Sequence, residues 1–401
     1  MDHSFIKKLV KPADTKIVLM VIDGLGGAER EKGGSTELET ADTPNLDSLA
    51  SDGICGLHTP VGPGITPGSG PAHLAVFGYD PVKHQVGRGV LSGLGIDFDI
   101  QPGDIACRGN FCSVDEEGRV TDRRAGRIAT EINEKLCTML GTIEIPGVEL
   151  FVRTVKQYRF LLVMRGLSSS HKVADTDPQE AGRKPLDPGP LCPEAEETAA
   201  KAGEFIAKAA EVLADEHPAN MLLLRGFSSL PDWDSFEQVF GLKSAAIAGY
   251  PMYRGVSKLI GMNVLETSDK PEEEIDVLES SWNSYDFFYL HIKPTDSAGE
   301  DGDFDRKVSV IEEVDTLIPR ITGLGPDVIA VTGDHSTPAV LKYHSWHPVP
   351  VCIWGKNCRA DTVQEFSEQA CTAGALGPRF PAHDIMPLLL ANAMRLNKFG
   401  A

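Results

Sequence analysis

Val-Thr-Gly-Asp-His-Ser, residues 331–336, stands near the end of this 401-residue chain, and His344 follows it closely. Its first residues complete a short apolar run, and the Asp-His pair comes directly afterwards. Carboxylate and imidazole groups at that position lie at the carboxyl end of a strand, which is where open α/β sheets hold their ligand sites. The segment therefore predicts an α/β fold and a metal-binding enzyme.

Further short apolar runs end in polar residues, as the buried strands of a largely parallel sheet do. Segments with helical spacing and good helix formers lie between some of these runs. This alternation predicts an α/β sheet protein. The predicted strands are Ile17–Ile22, Phe160–Met164, Met221–Leu224, Phe287–Leu290, Val328–Val331 and Val349–Trp354, and the predicted helices are Thr43–Ala50, Glu194–Leu213 and Asp305–Leu317.

Two stretches interrupt this alternation. Asp99–Asp122 alternates polar and apolar residues between glycine turns, and Ser168–Pro193 is rich in Asp, Pro, Gly and Lys. We interpret both as parts of an inserted domain at residues 79–245, which leaves residues 1–78 and 246–401 as the core. The predicted fold class is an α/β core with a mostly parallel sheet flanked by helices, interrupted by an inserted α+β domain.

The composition limits the possible partners. The formal charge of -20, from 38 Lys and Arg against 58 Asp and Glu, repels nucleic acid and anionic membranes, so we expect neither as a partner. The eight cysteines form no Cys-x-x-Cys pair, which favours reduced thiols. Because the chain lacks an apolar signal segment and any apolar run of about 18 residues, we expect a soluble, cytoplasmic protein. The sequence leaves its oligomeric state open.

Three other segments carry candidate ligands. Asp23 follows the first predicted strand in an Asp-Gly pair, a pattern that also forms ordinary turns. Ser69 lies between glycines before an apolar run, so it could begin a helix whose N-terminus favours a phosphate, or act as a simple N-cap. Asp296 and Glu300 follow another strand and could bind a cation or belong to a solvated acidic loop.

Taken together, these segments resemble the archaeal-type, cofactor-independent phosphoglycerate mutases of the alkaline phosphatase superfamily. The resemblance implies an alkaline-phosphatase-like core and the glycolytic interconversion of 2-phosphoglycerate and 3-phosphoglycerate, with a small-molecule phosphoglycerate as partner and no bisphosphoglycerate as cofactor. It spans essentially the whole chain through Val-Ile-Asp-Gly-Leu-Gly (21–26), Thr-Pro-Asn-Leu-Asp (43–47), Gly-Ser-Gly-Pro-Ala-His-Leu-Ala-Val-Phe-Gly-Tyr-Asp-Pro (68–81), Gly-Arg-Gly (87–89), Asp-Arg-Arg-Ala-Gly-Arg (122–127), Asp-Thr-Asp-Pro (175–178), Gly-Asp-His-Ser-Thr-Pro (333–338) and His-x-x-x-Pro-Val-Pro (344–350).

The resemblance also implies two divalent metal ions and a transiently phosphorylated serine, Ser69. The physical reason is that metal coordination lowers the pKa of a serine hydroxyl, while cations neutralise the charge on a transferred phosphoryl group. The ligands implied are Asp23, Ser69, Asp334 and His335 for one ion, and Asp296, His344 and Glu300 for the other.

Position 300 departs from the family pattern, which has Asp-x-x-x-His where this chain has Asp296 and Glu300. A glutamate oxygen favours Mg²⁺ or Mn²⁺ over the Zn²⁺ that imidazole suits. Alternatively, Glu300 points to solvent and the chemistry has changed. The alternatives to a mutase are a related homoserine kinase, a metal-dependent phosphomonoesterase and a catalytically inactive binding protein.

A mutase must retain glycerate while it reorients, and arginine binds carboxylate and phosphate through its planar fork. We expect an arginine cluster in the insertion, although an exposed arginine run is also common without any ligand. Two aspartates there are candidate general bases. His73 is more typical of a structural histidine than of a base, and His347 of an outer neighbour of the metal site. The expected substrate-binding residues are Arg108, Arg123, Arg124, Arg127, Arg225, Asp175 and Asp177.

Overall fold

In the computed structural model, which describes residues 2–400, the chain leaves a first unit after Gln85 and re-enters it at Trp233. We call this first unit the core unit and the segment Val86–Asp232 the inserted unit. Each unit has its own sheet and its own apolar core.

Within the described residues, the strands are β1 (Ile17–Ile22), β2 (Ile54–Thr59), β3 (Ile105–Val114), β4 (Val120–Asp122), β5 (Glu149–Lys156), β6 (Arg159–Arg165), β7 (Met221–Ser228), β8 (Ser244–Ile247), β9 (Asn263–Leu265), β10 (Phe287–Ile292), β11 (Val328–Thr332), β12 (Val349–Gly355) and β13 (Gly377–Pro381). The helices are α1 (His3–Lys7), α2 (Glu37–Thr40), α3 (Pro44–Ser51), α4 (Ser69–Val76), α5 (Arg88–Gly95), α6 (Thr130–Leu140), α7 (Glu196–Leu213), α8 (Phe236–Phe240), α9 (Pro251–Leu259), α10 (Pro271–Ser281), α11 (Pro294–Asp301), α12 (Phe304–Asp315), α13 (Ile318–Gly323), α14 (Glu368–Cys371) and α15 (Ile385–Asn392).

The core unit is built on an eight-stranded sheet in the order β13-β2-β12-β11-β1-β10-β8-β9. All its pairings are parallel except those of β12 with β11 and with β2. Every residue of β1 is buried, as the uninterrupted apolar run requires of a strand with both faces covered. Because β1 runs parallel to both β10 and β11, the carboxyl ends of these three strands lie at one edge of the sheet.

The inserted unit contains a five-stranded sheet in which all the pairings are antiparallel. Its strands β6 and β7 contain the predicted runs Phe160–Met164 and Met221–Leu224, so the expectation of largely parallel strands is wrong for these two. It is also wrong for Val349–Trp354, which forms β12 of the core unit. A two-residue turn that includes Gln157, with a φ of 52°, joins β5 to β6 as a hairpin. Burial alone cannot distinguish a buried antiparallel strand from a parallel one, which explains the error.

The predicted insertion at residues 79–245 is too long at both ends. Residues 79–85 and 233–245 belong to the core unit. They include α8, and they include the start of β8, which pairs with β10 in the core sheet. The predicted helix Glu194–Leu213 is α7 preceded by a 3₁₀ turn at Pro193–Ala195, and Asp99–Asp122 contains β3 and β4.

Among residues 2–400, no helix is both long enough and apolar enough to cross a membrane.

One buried carboxyl group makes the stability of the core unit dependent on pH. Glu274 in α10 is 1% exposed, and its Oε2 atom has no hydrogen-bond partner. Burial raises the pKa of Glu274 to about 9, against the hydrogen bond from the backbone of Gly249. The folded protein therefore holds this proton more tightly than the unfolded chain does, so stability is lost as the pH rises from about 4.5 towards 9.

We predict that Glu274→Gln raises Tm at pH 8 by at least about 2 °C and has little effect at pH 4.5, because the amide stays neutral in the same space. Thermal unfolding followed by circular dichroism at both pH values measures the difference. Glu272→Gln, on the exposed side of the same helix, is the control and should leave Tm unchanged at both. A destabilised Glu274→Gln at pH 8 would contradict the prediction.

Candidate metal centre

Three buried groups that can bind a metal meet at the carboxyl edge of the core sheet. Asp23 follows β1, whereas Asp334 and His335 follow β11, its parallel neighbour. The Nε2 atom of His335 lies 3.4 Å from Oδ1 of Asp23 and 3.2 Å from Oδ2 of Asp334. All three side chains are fully buried, and their ligand atoms lie within 4.8 Å of one another. We call this group the first cluster.

The atoms that face the centre of the first cluster are the ones left without hydrogen bonds. They are Oδ1 of Asp23, Oδ2 of Asp334 and Nε2 of His335. An unsatisfied buried polar atom costs about 1–3 kcal/mol, so three at one point require an explanation. Two carboxylate oxygens and an imidazole nitrogen are a suitable donor set for a divalent cation. The residues present therefore fit a metal ion.

A second cluster lies beside the first and shares His335 with it. It contains Asp296 from α11 and His344, with the ligand atoms again within 4.8 Å of one another. His344 Nε2 is 3.7 Å from Asp296 Oδ1, and the rings of His335 and His344 stack with their centroids 3.6 Å apart. The side chain of Glu300 is 57% exposed, and its Oε1 lies 4.0 Å from His344 Nε2. Glu300 thus lies at the rim of this cluster.

Ser69 is the first residue of α4, and the backbone around it is fixed to residues of both clusters. His344 Nδ1 donates to the carbonyl of Pro67 at 3.0 Å. His73 Nδ1 lies 2.9 Å from the carbonyl of Ser69 and 3.1 Å from Oδ2 of Asp334. His73 is fully buried, which favours the structural role over that of a base. The N-terminus of α4, with Ser69 at its start, is therefore held beside the two clusters.

The sequence interpretation missed three side chains that contact Asp23. Its Oδ2 atom accepts a hydrogen bond from the hydroxyl of Tyr253 and lies 3.2 Å from His291 Nε2 and 3.1 Å from Lys293 Nζ. Lys293 also pairs with Asp296, so it links the acidic ligands of both clusters. Burial acts to raise the pKa of Asp23, but Lys293 and His291 bring it well below its usual value. Asp23 is thus an ionised carboxylate.

These three residues could have been found only in part from the sequence. His291 and Lys293 lie at the end of a buried strand, which is the signal that identified Asp334. Tyr253 lies in α9, and nothing in its local sequence points to the site. The remaining histidine of interest, His347, contacts Ser345 through Nδ1 at 2.8 Å and stacks on Trp346.

The inserted unit brings several arginines close together. Arg108 and Arg225 are direct cross-strand partners in β3 and β7, where like charges repel. Burial and the charges of Arg88, Arg159 and Arg225 lower the pKa of Arg108 to about 9. The Nε atoms of Arg108 and Arg225 are buried without a hydrogen-bond partner. This cluster fits an anionic ligand, and it includes Arg88 and Arg159, which the sequence interpretation did not select.

Two of the other predicted substrate-binding residues, Arg123 and Asp177, pair with each other. Arg123 donates two hydrogen bonds to Asp177, at 2.8 and 2.7 Å, and Arg225 lies 3.2 Å from the same carboxylate. Burial acts to raise the pKa of Asp177, but these partners and the backbone of Gln179 lower it, which makes Asp177 a poor general base.

Asp175 remains the more accessible carboxylate. Its side chain is 38% exposed, and it accepts a hydrogen bond from the backbone of Gly226 at 2.7 Å. Arg124 and Arg127 are exposed in the turn after β4. The structure thus separates these two arginines, by their exposure, from the half-buried Arg108 and Arg225.

The fold and the two clusters together define an α/β protein with candidate metal-binding sites. Residues 50–220 match the profile of a family described as 2,3-bisphosphoglycerate-independent phosphoglycerate mutase. The chain is 49% identical over 406 residues to a probable enzyme of that name from Aquifex aeolicus, with 99% of each chain covered. It is 48% identical to another from Thermus thermophilus, covering 99% of this chain and 98% of the relative. The chain belongs to the family of 2,3-bisphosphoglycerate-independent phosphoglycerate mutases.

Solved structures agree with this assignment. The PH0037 protein from Pyrococcus horikoshii is 30% identical, has a TM-score of 0.85 and covers 96% of this chain and 99% of its own. The cofactor-independent phosphoglycerate mutase from Thermoplasma acidophilum is 29% identical, with a TM-score of 0.70, over 94% of this chain and 100% of its own. The family identification made from the motifs is confirmed.

We predict that Mn²⁺ at about 100 times its Kd raises the Tm of chelator-treated protein by at least about 5 °C, because the assembled clusters exist only in the folded state. Asp334→Asn should abolish most of this shift by removing a charged ligand, whereas Asp52→Asn, at an exposed position in the core unit, should preserve it. Differential scanning fluorimetry measures the shift. An equal Mn²⁺ response in Asp334→Asn would exclude the first cluster as a metal site.

Proposed function

We propose that this chain interconverts 2-phosphoglycerate and 3-phosphoglycerate by passing the phosphoryl group through the hydroxyl of Ser69, with two divalent ions at the clusters around His335. One observation is the main support for this proposal. In a chain of this family, the first residue of α4 is a serine held beside two adjoining sets of metal-binding side chains. The donor set fits Mn²⁺ or Mg²⁺, and Zn²⁺ less well because of Glu300.

Divalent ions bound there would lower the pKa of the serine hydroxyl and neutralise charge on the phosphoryl oxygens. The oxygen of Ser69 forms a bond to phosphorus while the bond from phosphorus to one glycerate oxygen breaks. The reverse step delivers the phosphoryl group to the other glycerate oxygen. Free N–H groups at the start of α4 would stabilise the phosphate on Ser69, because a helix N-terminus favours negative charge.

Lys293 and Tyr253 both contact Oδ2 of Asp23 and so hold this carboxylate in place. Both donate to its Oδ2 atom, which leaves Oδ1 directed at the first cluster. Lys293 is 18% exposed, and the charges of Asp23 and Asp296 outweigh its burial and raise its pKa. It therefore stays positively charged and offsets part of the negative charge that the two aspartates bring together.

We propose that the arginine cluster of the inserted unit binds the carboxylate or phosphate group of the phosphoglycerate. Burial and the charges of neighbouring arginines lower the pKa values of Arg88 and Arg108, and an anionic substrate would offset that repulsion. Asp175 is the remaining candidate for proton transfer with a glycerate hydroxyl. Retaining glycerate separates a mutase from a simple phosphatase, because a released glycerate would leave the phosphoserine to water.

We predict that Ser69→Ala lowers conversion of 3-phosphoglycerate to 2-phosphoglycerate by at least about 1,000-fold, because the substitution removes the hydroxyl proposed to accept the phosphoryl group. The assay contains Mn²⁺ and no bisphosphoglycerate and detects 2-phosphoglycerate by coupled enolase. Ser48→Ala, at an exposed serine of α3, is the control that should retain full activity.

Other products of the same assay would overturn the proposal in distinct ways. Inorganic phosphate as the only product of the wild-type protein indicates a phosphomonoesterase. Turnover that needs ATP and homoserine indicates a kinase. Tight phosphoglycerate binding without turnover under any divalent ion indicates an inactive binding protein.

We predict that Glu300→His increases activity with Zn²⁺ relative to Mg²⁺ by about tenfold, because imidazole suits zinc and carboxylate suits magnesium. Initial rates across Mg²⁺, Mn²⁺ and Zn²⁺ give the metal profile. Asp301→His, one residue further along α11 at an exposed position, is the matched control. A profile unchanged by Glu300→His would place Glu300 outside the coordination shell.

A further inference from the structure

The hydroxyl of Thr337 lies between the two clusters without belonging to either. Its Oγ1 atom donates a hydrogen bond to Oδ1 of Asp296 at 2.6 Å and lies 3.0 Å from Nδ1 of His335. Thr337 is fully buried. It therefore contacts one ligand of the second cluster and the one ligand that both clusters share.

A count of protons fixes the direction of both hydrogen bonds. A threonine hydroxyl has one proton to donate, and the carboxylate of Asp296, paired with Lys293, can only accept. An oxygen–oxygen contact of 2.6 Å requires that proton to lie between the two oxygens. Thr337 can then only accept at His335, so Nδ1 of His335 must carry the proton. In the neutral ring the unprotonated nitrogen is then Nε2, the atom directed at Asp23 and Asp334.

We propose that Thr337 is a positioning residue, whose single hydroxyl proton fixes His335 in the Nδ1–H tautomer and so directs a lone pair on Nε2 into the metal clusters. The same bond orients the carboxylate of Asp296. This inference rests on the proposed function only to the extent that the clusters bind cations. A second hydrogen bond to a metal-bound histidine commonly sets its tautomer and its affinity.

The backbone of Thr337 is held in place by a buried lysine. Its N–H donates to the carbonyl of Gly26 at 3.0 Å. Lys307 Nζ donates to the carbonyl oxygens of both Thr337 and Gly26, at 2.9 and 3.0 Å, and its side chain is fully buried. A buried ammonium that bonds two carbonyls fixes both loops against each other. The backbone from which the Thr337 hydroxyl projects is therefore fixed beside the clusters.

Two glycines leave room for this arrangement. A Cβ atom on Gly24 would lie 2.5 Å from Oγ1 of Thr337, and one on Gly299 would lie 2.2 Å from its carbonyl oxygen. Both distances are shorter than real Cβ contacts, so any side chain there would displace Thr337. Gly24 also has a φ of +65°, which glycine adopts without strain. The packing around Thr337 thus admits the hydroxyl in this one place.

The test compares Thr337→Val, which keeps the shape and loses the hydroxyl, with Thr337→Ser, which keeps the hydroxyl. We expect Thr337→Val to weaken Mn²⁺ binding by about 10- to 100-fold, and Thr337→Ser to bind within about threefold of the wild type. Mn²⁺ affinity is measured by electron paramagnetic resonance on metal-stripped protein without substrate. The ¹⁵N spectrum of histidine-labelled, metal-stripped protein at pH 8 should show His335 as the Nδ1–H tautomer in wild type and Thr337→Ser, and as Nε2–H or a mixture in Thr337→Val.

An Nε2–H tautomer in the wild-type protein would overturn the proposal, and that measurement needs no variant to fold. Identical tautomers and Mn²⁺ affinities within twofold in wild type and Thr337→Val would also overturn it. Neither readout involves turnover. Full activity of Ser69→Ala would therefore refute the phosphoserine mechanism and leave the role of Thr337 standing. An unchanged His335 tautomer and an unchanged Mn²⁺ affinity in Thr337→Val would refute the role of Thr337 and leave the phosphoserine mechanism standing.

Discussion

The structure depends on bringing two fully buried carboxylates, Asp23 and Asp334, to one point at the edge of a parallel sheet. Parallel pairing of β1 with β11 imposes this proximity, because it aligns the residues that follow each strand. Like charges in a buried place repel strongly, so the surroundings must supply positive charge. Lys293 contacts Asp23, and His73 contacts Asp334, which offsets part of that repulsion within the chain itself. Oδ1 of Asp23 and Oδ2 of Asp334 accept no hydrogen bond, so both oxygens remain available to a cation.

The two units concentrate side chains of different charge. The core unit concentrates carboxylates and imidazoles around His335, whereas the inserted unit concentrates guanidinium groups around Arg108 and Arg225. We propose that a cation binds at the first concentration of charge and a small anion at the second. A chain with a net charge of -20 attracts a phosphorylated acid where positive charge is concentrated locally, as at clustered arginines or bound cations.

The residues of this site that directly follow a strand could be predicted from the sequence. Ile17–Ile22 matches β1 residue for residue, and the ligands after β1 and β11 follow from the strand ends. Tyr253 could not be predicted, because it reaches Asp23 from a helix more than two hundred residues away along the chain. The boundaries of the insertion and its antiparallel sheet were likewise not predictable, since pairing partners are set by tertiary packing rather than by local periodicity.

The order of strands in the core sheet has a consequence for synthesis on the ribosome. β1 pairs only with β10 and β11, and β2 pairs only with β12 and β13. β1 is strongly apolar, yet the partners of both amino-terminal strands are translated last. Until residue 287 has left the ribosome, β1 has no partner strand with which to pair. During this part of translation, β1 would be exposed to chaperones or to aggregation. The pairing of β1 and β2 in the core sheet therefore cannot form until late in translation.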